Sequence, residues 1–168
     1  MKTRNILITA LFSLVLLSVN AQEKTPPQQQ LAPPAGQTAI EKLLSSGNFE
    51  FIANIMLPSG QAPKDLVGSN YSVTFTPEMI VSNLPFYGRS YSTIAMGKDQ
   101  GMRFQGAPEN FKQSKNKNQF EVKTEVKSER DTYKLLLLVS KSGNATLSIA
   151  TNDRGIVNYQ GEVVSIQK

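Results

Sequence analysis

Three aromatic rings and one guanidinium fall within six residues at Phe86-Tyr87-Gly88-Arg89-Ser90-Tyr91. No other stretch is so dense in side chains with special packing demands. Phe86, Tyr87 and Tyr91 on the wall or mouth of a cavity would hold an apolar ligand. Arg89 would then anchor a carboxylate or phosphate head. The same side chains would serve as core aromatics bracing a bend, with Arg89 paired to an acid. Buried aromatics are mostly packing, and the residue types favour that second use. Pro85 fixes one backbone angle and Gly88 permits another that most residues resist, so the stretch must turn or bulge in one way.

Catalytic chemistry has few carriers. The chain has no His and no Cys. Zinc and copper sites lose their usual ligands, and the Ser-His-Asp and Cys-His mechanisms are unavailable. Asp65 with Asp99 or Glu109 would be a carboxylate pair, but a glycosidase needs its two carboxyls about 5 to 9.5 Å apart, and no spacing singles these out. Ser-Lys chemistry needs a Ser-x-x-Lys tetrad on a helix, and the one predicted helix carries none. The expectation is a protein that is not an enzyme, with no catalytic residues, no metal and no cofactor.

Met1–Ala21 has the form of a secretory signal peptide. Lys2 and Arg4 precede an apolar run from Ile6 to Leu17, and Val19-Asn20-Ala21 offers a cleavage site before Gln22. The run is shorter than the roughly 20 apolar residues a spanning helix needs. Removing 21 of the 168 residues leaves 147, and losing Lys2 and Arg4 takes the formal charge from +5 to +3. That balance does not mark a nucleic-acid binder. With no Cys for disulfides or lipid attachment, the expectation is a soluble exported protein, periplasmic or secreted, whose core stands unaided. Residues 22–36 are rich in Pro and Gln and read as a disordered leader. Residues 37–168 form one domain.

That domain opens with a short helix. Thr38 and Glu41 make a capping box, Ala39, Ile40, Leu43 and Leu44 share a face, and Gly47 stops the helix. The period then switches to two. Phe49 to Leu57, Tyr71 to Thr76 and Met79 to Leu84 read as strands. Ser92 to Ser114 suggests two short strands turning at 97–101, a turn at Gly106-Ala107-Pro108, and a short strand over 110–113. Met79, Met96 and Met102 would line an adaptable pocket or, more simply, fill the core. Phe120 to Lys127, Tyr133 to Ser140, Ala145 to Ile149 and Ile156 to Ile166 form an antiparallel meander, with a tight turn at Ser142-Gly143-Asn144 and a bulge or sharp bend at Gly161. The unbroken Leu135–Val139 run predicts cover on both faces, the helix being one candidate cover. From Lys112 to Lys141, eight basic residues face four acids. Interleaved Glu121 and Glu125 make this a solvated strand face rather than an anion-binding surface. The fold class is all-β, an antiparallel barrel or else a two-sheet β-sandwich, with the helix packed on it.

Several marks occur in order: Phe49-x-Phe51-x-Ala53, a Pro-Ser-Gly loop, Tyr71-Ser72-Val73, Leu84-Pro85-Phe86-Tyr87-Gly88-Arg89, Gly101-x-x-Phe104, Gly143-x-Ala145-x-Leu147 and Arg154-Gly155-Ile156-Val157-x-Tyr159-x-Gly161. In these the chain resembles the Bacteroidetes family of exported proteins known as domain of unknown function family 4251, over about Ile40 to Ile166. Here Phe86 precedes Tyr87, the reverse of that family's usual order. The resemblance implies a lipocalin-like β-barrel and a small hydrophobic or amphipathic ligand such as a lipid. It implies no catalytic residues. The alternative is a structural or interaction module contacting an envelope protein. Large inward residues (Phe49, Phe51, Phe75, Phe120, Leu137) weigh against a roomy interior.

Overall fold

The computed structural model describes residues 38–87, 101–128, 131–152 and 154–166. The expected signal segment, the leader, Gly88, Arg89, Tyr91, Met96 and Asp99 lie outside these residues.

Helix α1 (Ala39–Ser45) starts as its sequence dictates: the Thr38 hydroxyl accepts from the Glu41 amide at 3.2 Å. Gly47 follows at φ 67°, where a Cβ would be strained. Seven residues do not make a stable helix alone. Leu44 is buried, and Ile40 and Leu43 pack against the core. Gln113 donates to the Leu44 carbonyl at 2.6 Å, and Lys115 pairs with Glu41 at 2.8 Å.

Ten strands follow: β1 (Phe49–Leu57), β2 (Lys64–Asp65), β3 (Ser72–Phe75), β4 (Ile80–Leu84), β5 (Met102–Gly106), β6 (Pro108–Lys115), β7 (Gln119–Lys127), β8 (Thr132–Ser140), β9 (Asn144–Thr151) and β10 (Gly155–Val164). Nine lie in one antiparallel order, β5-β4-β3-β1-β10-β9-β8-β7-β6, and β2 pairs with β1 beside it. The two ends of that order, β5 and β6, are separated in sequence by Ala107 alone. The chain itself therefore draws the sheet round on itself, giving a nearly closed barrel and not a two-sheet sandwich. Gly106 stands at the join: a Cβ there would come within 2.9 Å of the Lys127 carbonyl and of Val126.

The expected turn at Gly106-Ala107-Pro108 is thus a corner between strands that do not pair with each other, and the strand expected over 110–113 is the longer β6. Pairing with β7 extends it, because a second strand supplies hydrogen bonds that periodicity cannot reveal. β2 was not anticipated. It arises where β1 changes partner. Up to Ile52, β1 pairs with β3, and after a bulge between Ala53 and Ile55 it pairs with β2. The carbonyl of the bulge residue Asn54 accepts from Leu66, whose side chain is buried. Opposite this bulge sits Gly161, the bend that the sequence places there.

Inward positions fill the barrel. Phe49, Phe51, Met56, Leu137, Leu147, Ile149 and Tyr159 are all fully buried. Phe49 stacks on Phe75 at 4.7 Å and Phe104 on Tyr133 at 4.0 Å between ring centroids. The buried Ser82 and Thr124 hydroxyls are satisfied by backbone: Ser82 donates to the Met102 carbonyl at 2.6 Å, Thr124 to the Glu109 carbonyl at 3.0 Å. Met102 is core, as expected, whereas Met79 is 44% exposed, because it sits in the turn that Thr76 closes just before β4. The helix does not cover the outer side of β8. It packs toward β6 and the β8–β9 turn, where Ile40 approaches Gly143. Leu136 and Leu138 face outward and are only half-buried, flanked by side chains of β7 and β9.

Candidate functional site

The predicted aromatic stretch lies where β4 ends. Leu84 and Pro85 are buried, Phe86 is half-buried against the core, and Tyr87 is 45% exposed. Phe86 and Tyr87 are the two predicted site residues the structure describes; Arg89 and Tyr91 lie outside the described residues. A cation does meet the stretch, from a part of the chain the sequence reading left aside. The Arg154 guanidinium, in the β9–β10 turn, lies 5.1 Å from the Phe86 ring centroid and donates to the Gly101 carbonyl at 2.8 Å. Below it the Tyr159 hydroxyl donates to the Pro85 carbonyl at 2.7 Å. Burial pushes the Tyr159 phenol pKa well above its ordinary value, against the opposing influence of the Arg154 charge. This end of the barrel is braced by hydrogen bonds and ring packing among its own residues.

Asp65 and Glu109 are engaged separately, and Asp99 lies outside the described residues. Asp65 accepts from the Val67 amide at 3.0 Å in a turn, and Glu109 pairs with Lys127 at 2.7 Å on the surface. Ser114-x-x-Lys117 is a Ser-x-x-Lys tetrad, but it runs from the end of β6 into the β6–β7 turn and is not helical. Among the described residues, no three acids, His or Cys converge as metal ligands would. The basic stretch behaves as a solvated face. Lys123 bonds Glu121 at 2.7 Å, which holds that carboxyl below its usual pKa.

A different surface is concave. A shallow open groove of about 510 Å³ crosses the outside of β7, β8, β9, β10 and β1. Its lining includes Leu138, Thr146, Gln160 and Ile55, which strand register sets side by side on one outward row that continues to Glu121 on β7. Around it stand five primary amides: Asn54 at the bulge, Asn118 in the β6–β7 turn, and Gln119, Asn144 and Gln160 on strands. Glu121 and Asp65 stand beside Leu138 and Ile55 at its two ends. The sequence reading missed it because each amide occupies a solvent-side position of an alternating strand or a turn, where a polar residue is ordinary. Only strand order brings them together. Asn54 beside a β-bulge was the one local signal, since bulges re-aim side chains.

A family model described as Domain of unknown function (DUF4251) matches residues 35–163. No curated protein matches. Among solved structures, the chain is similar to the crystal structure of a DUF4251 family protein from Bacteroides eggerthii DSM 20697, with 16% identity and a TM-score of 0.59. That alignment covers 74% of this chain and 83% of the other, and it bears on the fold. With its family model spanning all but the ends of the barrel domain, the chain belongs to the DUF4251 family.

Proposed function

We infer that this is an exported, non-catalytic binding module that meets its partner on the outer wall of its barrel. The observation that carries this reading is the contrast between the two surfaces of the sheet. Inward positions are occupied by large, fully buried side chains, whereas the outer wall offers a groove lined by five primary amides. An eight- or nine-stranded barrel has room for one small ligand or for packed side chains, and these side chains support the second use. Export rests on the signal-like form of Met1–Ala21.

Titration with a fatty acid or lysophospholipid, followed by methyl NMR, tests this reading. Interior methyl resonances of Leu137, Leu147 and Ile149 stay in place if the lumen is filled. Saturable shifts of those methyls would show a lumenal site and overturn it.

A further inference from the structure

β6 is the longer of the two strands that end the sheet. Among the described residues only β7 pairs with it, and Asn110 to Lys115 are all exposed. A free edge of this kind presents unpaired N–H and C=O groups to any passing strand. Every copy of the chain carries the same edge, so the occupant always at hand is a second copy. We propose that β6 is guarded against edge-to-edge pairing with a second copy by features of its own sequence, and that this guard keeps the barrel monomeric. The guard acts at a strand edge and is independent of any partner on the outer wall.

Strand register shows how the guard is built. Lys112 lies beside Lys123 on the outer face. Gln113 and Lys115 lie opposite Val122 and Phe120, whose side chains are buried, so they stand on the face that the other strands fill with apolar groups. A lysine on that face suits an open edge and not an enclosed one. The Lys115 ammonium escapes to Glu41 at 2.8 Å and lies 5.5 Å from the Phe120 ring centroid. A further strand alongside would enclose it. The strand begins at Pro108, which has no N–H to offer. A bulge follows between Glu109 and Lys112, with Asn110 at φ 53°. Thr124, buried opposite this bulge, holds the Glu109 carbonyl at 3.0 Å. Such a bulge twists an edge out of the line a partner strand would follow. At the far end α1 sits against the strand, through Gln113 to the Leu44 carbonyl. An antiparallel pairing of β6 with its copy would also gather Lys112 and Lys115 of both chains along one short ladder, where like charges repel. It is the coincidence of proline, bulge, outward and inward lysine and helix on this one long edge that carries the inference.

The test is analytical ultracentrifugation of the intact protein, with hydrogen exchange read at the β6 amides. The parent stays monomeric up to about 1 mM. The double variant Lys112→Thr/Lys115→Thr dimerises at about 0.1 mM or below, and its β6 amides gain protection as it does. Both side chains are exposed, so the variant melts close to the parent. Lys112→Gln/Lys115→Gln removes the same charges while keeping long polar side chains, associates in the same way, and decides the matter where the Thr variant melts early. The control Lys123→Thr/Lys134→Thr removes two charges from strands that are paired on both sides, and it stays monomeric. Edge variants that remain monomeric at the parent's highest concentration overturn the proposal. A control that associates as readily as the edge variants overturns it too, since the effect would then belong to net charge. So does a parent that already dimerises with its β6 amides protected, because the edge would then be an interface.

Discussion

Gly161 sits where β10 passes the bulge of β1, and a Cβ there would run into the Ile52 carbonyl. Backbone is on the far side of that contact, so no side-chain rotation relieves it. Gly161→Ala should lower stability by about 2–4 kcal/mol, read as a fall in the denaturation midpoint; a parental midpoint would show that β1 yields freely. The buried Tyr159 hydroxyl gives a second prediction. Its folded pKa is raised, so the fold keeps the phenol protonated. The unfolded chain ionises near pH 10 and gains free energy above that pH, which the folded chain does not. Stability is therefore fully present below about pH 10 and is lost as pH rises past it. Tyr159→Phe should cost about 1 kcal/mol at neutral pH and flatten the decline between pH 9 and 11, as followed by thermal melts. An unchanged alkaline slope would mean another group governs it. Gly161 was legible in the sequence as a bend because Gly interrupts a strand pattern. Tyr159 and Arg154 were not, because their partners at Pro85, Phe86 and Gly101 are more than fifty residues away in the chain.

At the scale of the element, α1 holds its place through one side chain more than any other. Leu44 is 3% exposed, and its loss leaves a cavity beneath a helix too short to persist alone. Leu44→Ala should destabilise by about 2–4 kcal/mol, while Thr38→Ala, which removes only the cap, should cost about 1 kcal/mol. Equal losses in urea denaturation would place the helix's importance in its own formation and not in its packing. The surface ion pairs Lys123–Glu121 and Lys127–Glu109 join solvent-accessible, partly exposed groups, so Lys127→Ala should leave the melting temperature unchanged in high salt. Alternation made β1, β3, β4 and β7 to β10 readable, and the capping box did the same for α1. β2 and the full length of β6 were not readable, because each owes its strand form to a neighbour. β6 also carries a bulge at Asn110, at φ 53°, which breaks the period by which a strand is recognised.

For the whole molecule, the decisive feature is that the nearly closed sheet spends its inward side chains on packing. Tyr159, Phe49, Phe51, Phe75 and Met56 are among its largest fully buried side chains, and the size of Phe49, Phe51 and Phe75 at alternating positions had already pointed to a filled interior. The groove was invisible at that stage, since five amides from four strands and a turn become one surface only when β1 closes against β10. The account's central claim is that partners are met outside a filled barrel. It is tested most directly by native mass spectrometry of the protein purified undenatured from its own cells, followed by solvent extraction. The account predicts the bare mass of residues 22–168 with no extractable apolar molecule. A stoichiometric lipid or other apolar molecule carried through purification would contradict it.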